Sequence, residues 1–200
     1  MSVAEKLLQL KTDMDSLFEK GKEAARQAFA DAYQEEGNLI NYYQRFSQSG
    51  WNDGTFSYIR YPIVCAGGGT NANNVFTRCQ ITKISVPVVI EETAAQETFY
   101  YATKLEEIDS LTLVKVPSLL RIFSGCSKLR HIGFQGSIDV DLSISAAPEL
   151  DEETRQSIVD CLKDLTGLEK QTLTLHKTVG EKLTGKQKAD IAAKNWELKY

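Results

Sequence analysis

Apolar residues follow a helical rhythm at the start of the chain, a 24-residue rhythm in the middle and a mixed one at the end. Val3, Leu7, Leu10, Met14 and Leu17 step by 4, 3, 4 and 3, the seam of a coiled coil. The next seam position is Gly21, so the seam lasts about two and a half heptads, short of the three or four usually required. Leu8 and Phe18 widen the stripe, and Ala24, Ala25, Ala28, Phe29, Ala32 and Tyr33 continue it with smaller residues. The pattern predicts a helix from residue 3 to about 36. A helix this short is marginal alone in water, so it either docks on its own domain or self-associates into a dimer or trimer.

Between residues 76 and 132 a motif recurs. Its fullest copy places Phe123, Cys126, Leu129 and Ile132 at intervals of three. Phe99, Ala102, Leu105 and Ile108 stand 24 residues earlier, position for position. A third copy holds Phe76, Cys79, Ile81 and Ile84; its isoleucines are again 24 residues before Leu105 and Ile108, but Phe76 is only 23 before Phe99. That copy is one residue short. Periods of 20 to 50 residues mark units that bury their apolar faces against one another. Within them, residues 80–90, 105–114 and 129–144 alternate in polarity as half-buried strands do.

Gly37 closes the helical section, and residues 38–74 are rich in Tyr, Asn, Ser and Gly. Tyr42, Tyr43, Phe46, Trp51, Phe56, Tyr58 and Tyr61 either cap the open end of the stack, the commoner use, or form a recognition patch. Residues 61–65 read as a first strand. The glycine loop at 66–74 lacks the following Gly-Lys-Ser/Thr of a phosphate cradle and reads as a connection. After Ile144 the period breaks. Asp151 opens a helix with acidic residues at its positive end, buried through Ile158, Cys161, Leu162 and Leu165 and stopped by Gly167. A strand at 171–176, a capping box at Thr184–Gln187 with a helix through Ala193, and a strand at 196–200 complete a cap for the last repeat.

Composition narrows the chemistry. The 23 basic and 27 acidic residues give a net charge of −4, with no basic cluster for nucleic acid or anionic membrane. No apolar run is long enough for membrane insertion. Residues 1–13 show no signal-peptide core, which places synthesis in the cytoplasm without export by that route. Cys65, Cys79, Cys126 and Cys161 form no Cys-x-x-Cys pair and read as buried thiols, with a Cys79–Cys126 disulfide the lesser alternative. Asp139 and Asp141, alternating with Ile138, Val140, Leu142 and Ile144, are either a solvated face or, less commonly, Ca²⁺ ligands. His131 and His176 suggest no triad, and Glu91-Glu92 and Glu106-Glu107 diverge on a strand instead of flanking a cleft. We expect no catalytic residues, no metal and no cofactor.

The pattern Phe-x-x-Cys-x-x-Leu-x-x-Ile at residues 123–132 resembles the leucine-rich repeats of BspA-type bacterial surface proteins. The ending, with Ala146-Ala-Pro148, Leu173-Thr-Leu175, Lys182-Leu-Thr184 and Lys194-Asn-Trp196, is similar to short repeat proteins of phages and prophages of gut Firmicutes. Some of these also carry a helical N-terminus and a Gly-Trp-Asn-Asp stretch like residues 50–53. The resemblance implies an α+β fold: a short solenoid with an N-terminal helix and an α/β C-terminal cap. Its divisions are 1–37, the helix; 38–75, the connecting and N-capping region; and 76–200, the repeats with their cap from about 145. Ala102 departs from the motif's Cys, and a long adhesive array is missing. The implied function is a non-catalytic, tail-associated phage protein, structural or receptor-engaging, made in the bacterial cytoplasm and carried on the virion. The alternatives are a bacterial adhesion or interaction module and, more remotely, a glycan-active enzyme. Expected partners are copies of the chain, joined through the N-terminal seam, and a host-surface protein or glycan or other virion proteins. Trp51, Tyr58, Tyr100 and Tyr101 are the candidate binding residues.

Overall fold

The computed structural model describes residues 3–35, 63–65, 75–91 and 95–200. The aromatic series from Tyr42 to Tyr61 and the glycine loop at 66–74 lie outside them. In chain order the elements are α1 (Val3–Glu35), β1 (Ile63–Cys65), β2 (Lys83–Ile84), β3 (Val88–Glu91), β4 (Glu107–Val114), β5 (His131–Gly136) and β6 (Leu142–Ile144). Then follow α2 (Glu152–Cys161), β7 (Gln171–Leu175), α3 (Lys177–Lys182), α4 (Gly185–Ala193) and β8 (Trp196–Lys199). The fold is mixed, with helices and two parallel sheets among the described residues. One sheet runs β1-β3-β4-β2 with β5 on the other side of β4, and the second runs β6-β7-β8.

The 24-residue period is the register of β2 with β4 and of the start of β4 with β5; β3 on β4, and β4 on β5 beyond Ser110, pair at steps of 23. Lys83 pairs with Glu107 and Glu107 with His131, while Ile84 pairs with Ile108 and Ile108 with Ile132. Each step is 24 residues, so the alternation that buries one isoleucine buries the next beside it. Outside the strands the repeat also stacks the aromatic rings, with Phe76 23 residues before Phe99 and Phe123 24 residues after it. Phe76 and Phe99 lie 5.1 Å apart and nearly parallel, and Phe99 and Phe123 lie 5.4 Å apart. All three are fully buried.

The backbone repeats too. Phe76 donates its N–H to Thr98 O and Phe99 to Ile122 O, while Arg78 donates to Tyr100 O and Tyr101 to Ser124 O. Arg78, Tyr101 and Gly125 occupy one equivalent place, two residues after each phenylalanine, with φ of 55°, 55° and 82°. A left-handed residue with a side chain costs about 1–2 kcal/mol, which the bonds between successive units offset. At the Phe123 copy glycine relieves it. A Cβ on Gly125 would also stand 3.0 Å from Tyr101 Cγ and 3.2 Å from Tyr101 Cα.

Two irregularities keep the stack aligned. The residue missing from the first copy is lost between Cys79 and Ile81, two positions apart where Ala102 and Leu105 are three. The deletion lies outside the strands, between the turn at 75–78 and β2, so rings and strands still meet. In β4 the register slips between Ile108 and Leu111, where Asp109 and Ser110 face the single Gly133 of β5. A Cβ on Gly133 would fall 2.3 Å from Asp109 O, so no side chain fits there.

Several expectations need correction. The run 129–144 is not one strand. β5 ends at Gly136, Ile138 forms a bridge with Leu162, and residues 142–144 join the second sheet. The helix opened by Asp151 ends at Cys161 rather than near Gly167, because pairing with Ile138 draws Leu162 into an extended conformation. Its buried residues are Thr154, Ile158 and Val159; Leu162 and Leu165 are buried beyond its end. The short helix α3 was not anticipated; its Gly180 lies under the ring of Tyr200. The capping box at Thr184 and Gln187 is present, with both reciprocal hydrogen bonds. Cys65, Cys79 and Cys126 are buried free thiols and Cys161 is partly buried. Burial pushes the first three up to about 12, 11 and 12.

Phe99 has a stacked ring on both sides, so its loss breaks the interior column in the middle. We expect Phe99→Ala to lower unfolding free energy by about 3–5 kcal/mol, read as a shift of the urea midpoint at unchanged m-value. A loss below about 1 kcal/mol would show that the column does not hold the units together.

Candidate binding site

The in-register strands carry a ladder of exposed charge. Lys83 Nζ lies 2.8 Å from Glu107 and 3.0 Å from Asp109, and Arg130 pairs with Glu107 and Glu106. The Lys83 hydrogen bond holds the Glu107 carboxyl below its usual range. Exposed pairs of this kind contribute about 0–1 kcal/mol each. The ladder follows from register, since residues 24 apart are neighbours across the sheet.

At the end of the ladder, His131 Nδ1 lies 2.8 Å from Asp151 Oδ2. Asp151 Oδ1 accepts the N–H of Thr154, so the same carboxylate caps α2. Buried Thr154 accepts the Ile132 N–H through Oγ1 (2.8 Å), and Ser157 Oγ donates to Ile132 O (3.1 Å). Those are the backbone groups that a further strand beside β5 would take. Helix α2 thus closes the sheet edge with side chains, and the imidazole–carboxylate pair belongs to that closure. Among the described residues, no group of three or more His, Cys, Asp or Glu could hold a metal ion. Asp139 is paired with Lys163 (3.2 Å), and Asp141 accepts the Thr172 N–H (2.6 Å).

The described residues form a groove of about 610 Å³, within the ~300–1,000 Å³ of small-ligand sites. One wall is the segment 117–121, including Ser118, Leu120 and Arg121. The floor is the outward face of β6, β7 and β8. Register puts Ser143, Thr174 and Lys199 in one row across the three strands, with Thr172 beside Glu197 in the next. Residues 118–120 stand one period, 24 residues, before β6. β6 pairs instead with β7, and the groove occupies the step between them.

Four of the groove's polar side chains, Asp141, Gln171, Arg121 and Lys199, are held. Asp141 receives the Thr172 N–H and gives its own N–H to Gln171 Oε1 (3.0 Å). Arg121 pairs with Glu97 at 2.6 Å and lies 5.8 Å from the Tyr100 ring centroid. Lys199 pairs with Glu197 at 3.0 Å.

Of the candidate binding residues, Trp51 and Tyr58 lie outside the described residues. Tyr100 and Tyr101 sit together, rings 4.6 Å apart and edge to face, with Tyr101 half exposed. They flank the groove through Arg121 without lining it. The sequence pattern did not single out Ser118, Arg121, Thr172, Thr174 or Lys199, whereas its alternation placed Ser143 with Asp139 and Asp141 on an outward face. The alternation of threonine with buried Leu173 and Leu175 was the available signal for part of the floor. On α1, the side chains of Val3 and Leu7 lie outside the description, whereas Leu10, Met14 and Leu17 are exposed, as are Leu8 and Phe18. No helix among the described residues is long and apolar enough to cross a membrane. Neither a family model, nor a curated protein, nor a solved structure matches the chain.

Burial raises the Asp151 carboxyl, but hydrogen bonds from the Thr154 hydroxyl and amide and from His131 outweigh it and leave it below its usual range. A carboxylate lowered by folding stabilises the protein above its unfolded pKa and loses that contribution as pH falls through the folded one. We expect Asp151→Ala to lower stability by about 1 kcal/mol at pH 7, the usual worth of an N-cap. The gap from wild type should close as pH falls below about 4, measured by urea denaturation across an acid series. A gap that does not vary with pH would remove the carboxylate from the account.

Proposed function

We propose that the chain is a non-catalytic, tail-associated phage or prophage protein that engages a receptor through the surface of a short leucine-rich-repeat solenoid of the BspA type. The solenoid reading is supported by the coincidence of sequence period, strand register, stacked phenylalanines and recurring left-handed residues. The observation that carries the binding reading is the groove beside β6, in which Asp141, Gln171 and Arg121 are already oriented by bonds within the protein. The virion assignment rests on the resemblance of the repeat motif and the C-terminal ending. On this reading the protein is made in the bacterial cytoplasm and leaves the cell on the particle. Its partners are a host-surface protein or glycan and neighbouring virion proteins.

Helix α1 supplies self-association. Its seam residues Leu10, Met14 and Leu17 are 55%, 62% and 68% exposed, a stripe that a second and third copy would cover.

Particles purified from lysates of the encoding strain are expected to contain the chain when analysed by mass spectrometry. Its restriction to the soluble host fraction would overturn the virion reading. Light scattering of the full chain over a concentration series should give a dimer or trimer mass, and Leu10→Glu with Leu17→Glu should give a monomer. A wild-type monomer at all concentrations would reduce α1 to an unpartnered arm.

A further inference from the structure

We propose that the groove between residues 117–121 and the β6-β7-β8 face is a saccharide-binding site for a short oligosaccharide with adjacent free hydroxyls. The assignment rests on the receptor-engaging reading and names the ligand class.

The lining is the first argument. The floor presents the hydroxyls of Ser143, Thr172 and Thr174, and the rim adds Ser118, the Gln171 amide and the Asp141 carboxylate. A sugar hydroxyl both donates and accepts, so hydroxyl, amide and carboxylate groups in a row suit neighbouring hydroxyls on one ring. Strand spacing sets the row, with neighbouring strands about 4.8 Å apart. Ser143, Thr174 and Lys199 follow one another at that step across β6, β7 and β8.

Orientation is the second. Asp141 has one oxygen held by Thr172 N–H, and Gln171 has its carbonyl oxygen held by Asp141 N–H. The Gln171 amide nitrogen is thereby fixed as a donor beside a carboxylate acceptor. Groups held in place before binding lose less side-chain freedom when a ligand arrives.

The third argument separates a glycan from a peptide. An extended peptide read by side chains needs apolar pockets for its anchors. Here Leu119 and Leu142 are 3% and 1% exposed and are committed to the core. Leu120, at 54% exposure, offers an apolar side chain on the wall, suited to the C–H face of a sugar ring. Charge disfavours a polyanion. Arg121 and Lys199 are each paired with a glutamate outside the lining, and Asp141 adds a negative charge.

The test uses the full chain. Wild type, the double variant Ser143→Ala with Thr174→Val, and a control, Lys186→Ala on α4, are applied to an array of defined neutral and acidic oligosaccharides of two to five residues. Affinity for the best probe is then measured by calorimetry. Valine and alanine suit an outward strand face, and matching urea midpoints would confirm that the double variant folds. The expected result is binding by wild type and control and at least a tenfold loss in the double variant. Equal binding by the double variant, or no array binding by wild type, overturns the assignment. So does recovery from a displayed-peptide library of an extended peptide whose binding the same double variant abolishes. None of these results bears on whether the chain is found on purified particles, so the receptor-engaging reading fails or stands separately.

Discussion

The structure depends on the requirement that equivalent buried residues meet at the same height each time the chain returns. Protein interiors are packed as densely as organic crystals, so a ring at one level fixes the position of the ring above it. Phe99 lies between Phe76 and Phe123 at 5.1 and 5.4 Å, and the isoleucines of β2, β4 and β5 are paired residue to residue. Length changes are therefore confined to places away from this column. The deletion between Cys79 and Ile81 is taken up in the irregular segment before β2, and the extra residue of β4 at Asp109 and Ser110 is accommodated opposite a glycine. The same constraint accounts for the charged ladder, since Lys83, Glu107 and His131 are lateral neighbours at steps of 24 residues.

A stack in register must also stop. Its last strand has a free edge, and its last unit has an uncovered apolar face. Helix α2 meets the first problem with Thr154 and Ser157, whose hydroxyls take the Ile132 backbone groups, and Asp151 both caps the helix and pairs with His131. The chain meets the second by leaving the period: Ile138 pairs with Leu162, and β6 turns to β7. The groove lies at this departure, between a segment still in the period and a strand one period later that has left it. The concavity is a consequence of ending the repeat.

The same physics decides what could be read from the sequence. A buried position with close neighbours above and below admits few side chains, so the Phe, Leu and Ile spacings were legible, as were the cap at Asp151 and the box at Thr184. Where the fold is fixed by contacts distant in sequence, the local pattern misled. Residues 138–144 alternate as one strand would, yet Ile138 and Leu142 belong to different partners. Helix α3 spans only six residues and includes Gly180, a weak helix former placed there by the ring of Tyr200. The groove was least legible. Serine and threonine on an exposed strand face meet little packing constraint, and their meaning depends on segment 117–121, which no local pattern brings beside them.

Charge pairing decides what such a surface can recognise. An unpaired arginine and lysine facing a groove would attract any polyanion through long-range fields. Arg121 and Lys199 have glutamate partners at 2.6 and 3.0 Å, and the chain as a whole carries −4. What remains is short-range: hydroxyls, an amide and a carboxylate, each needing a partner in place of the water it gives up. Such a site gains little from a ligand group that cannot return those hydrogen bonds, and an apolar side chain cannot. A polyol can, group for group, and the three-strand register of Ser143, Thr174 and Lys199 sets the spacing at which it must do so.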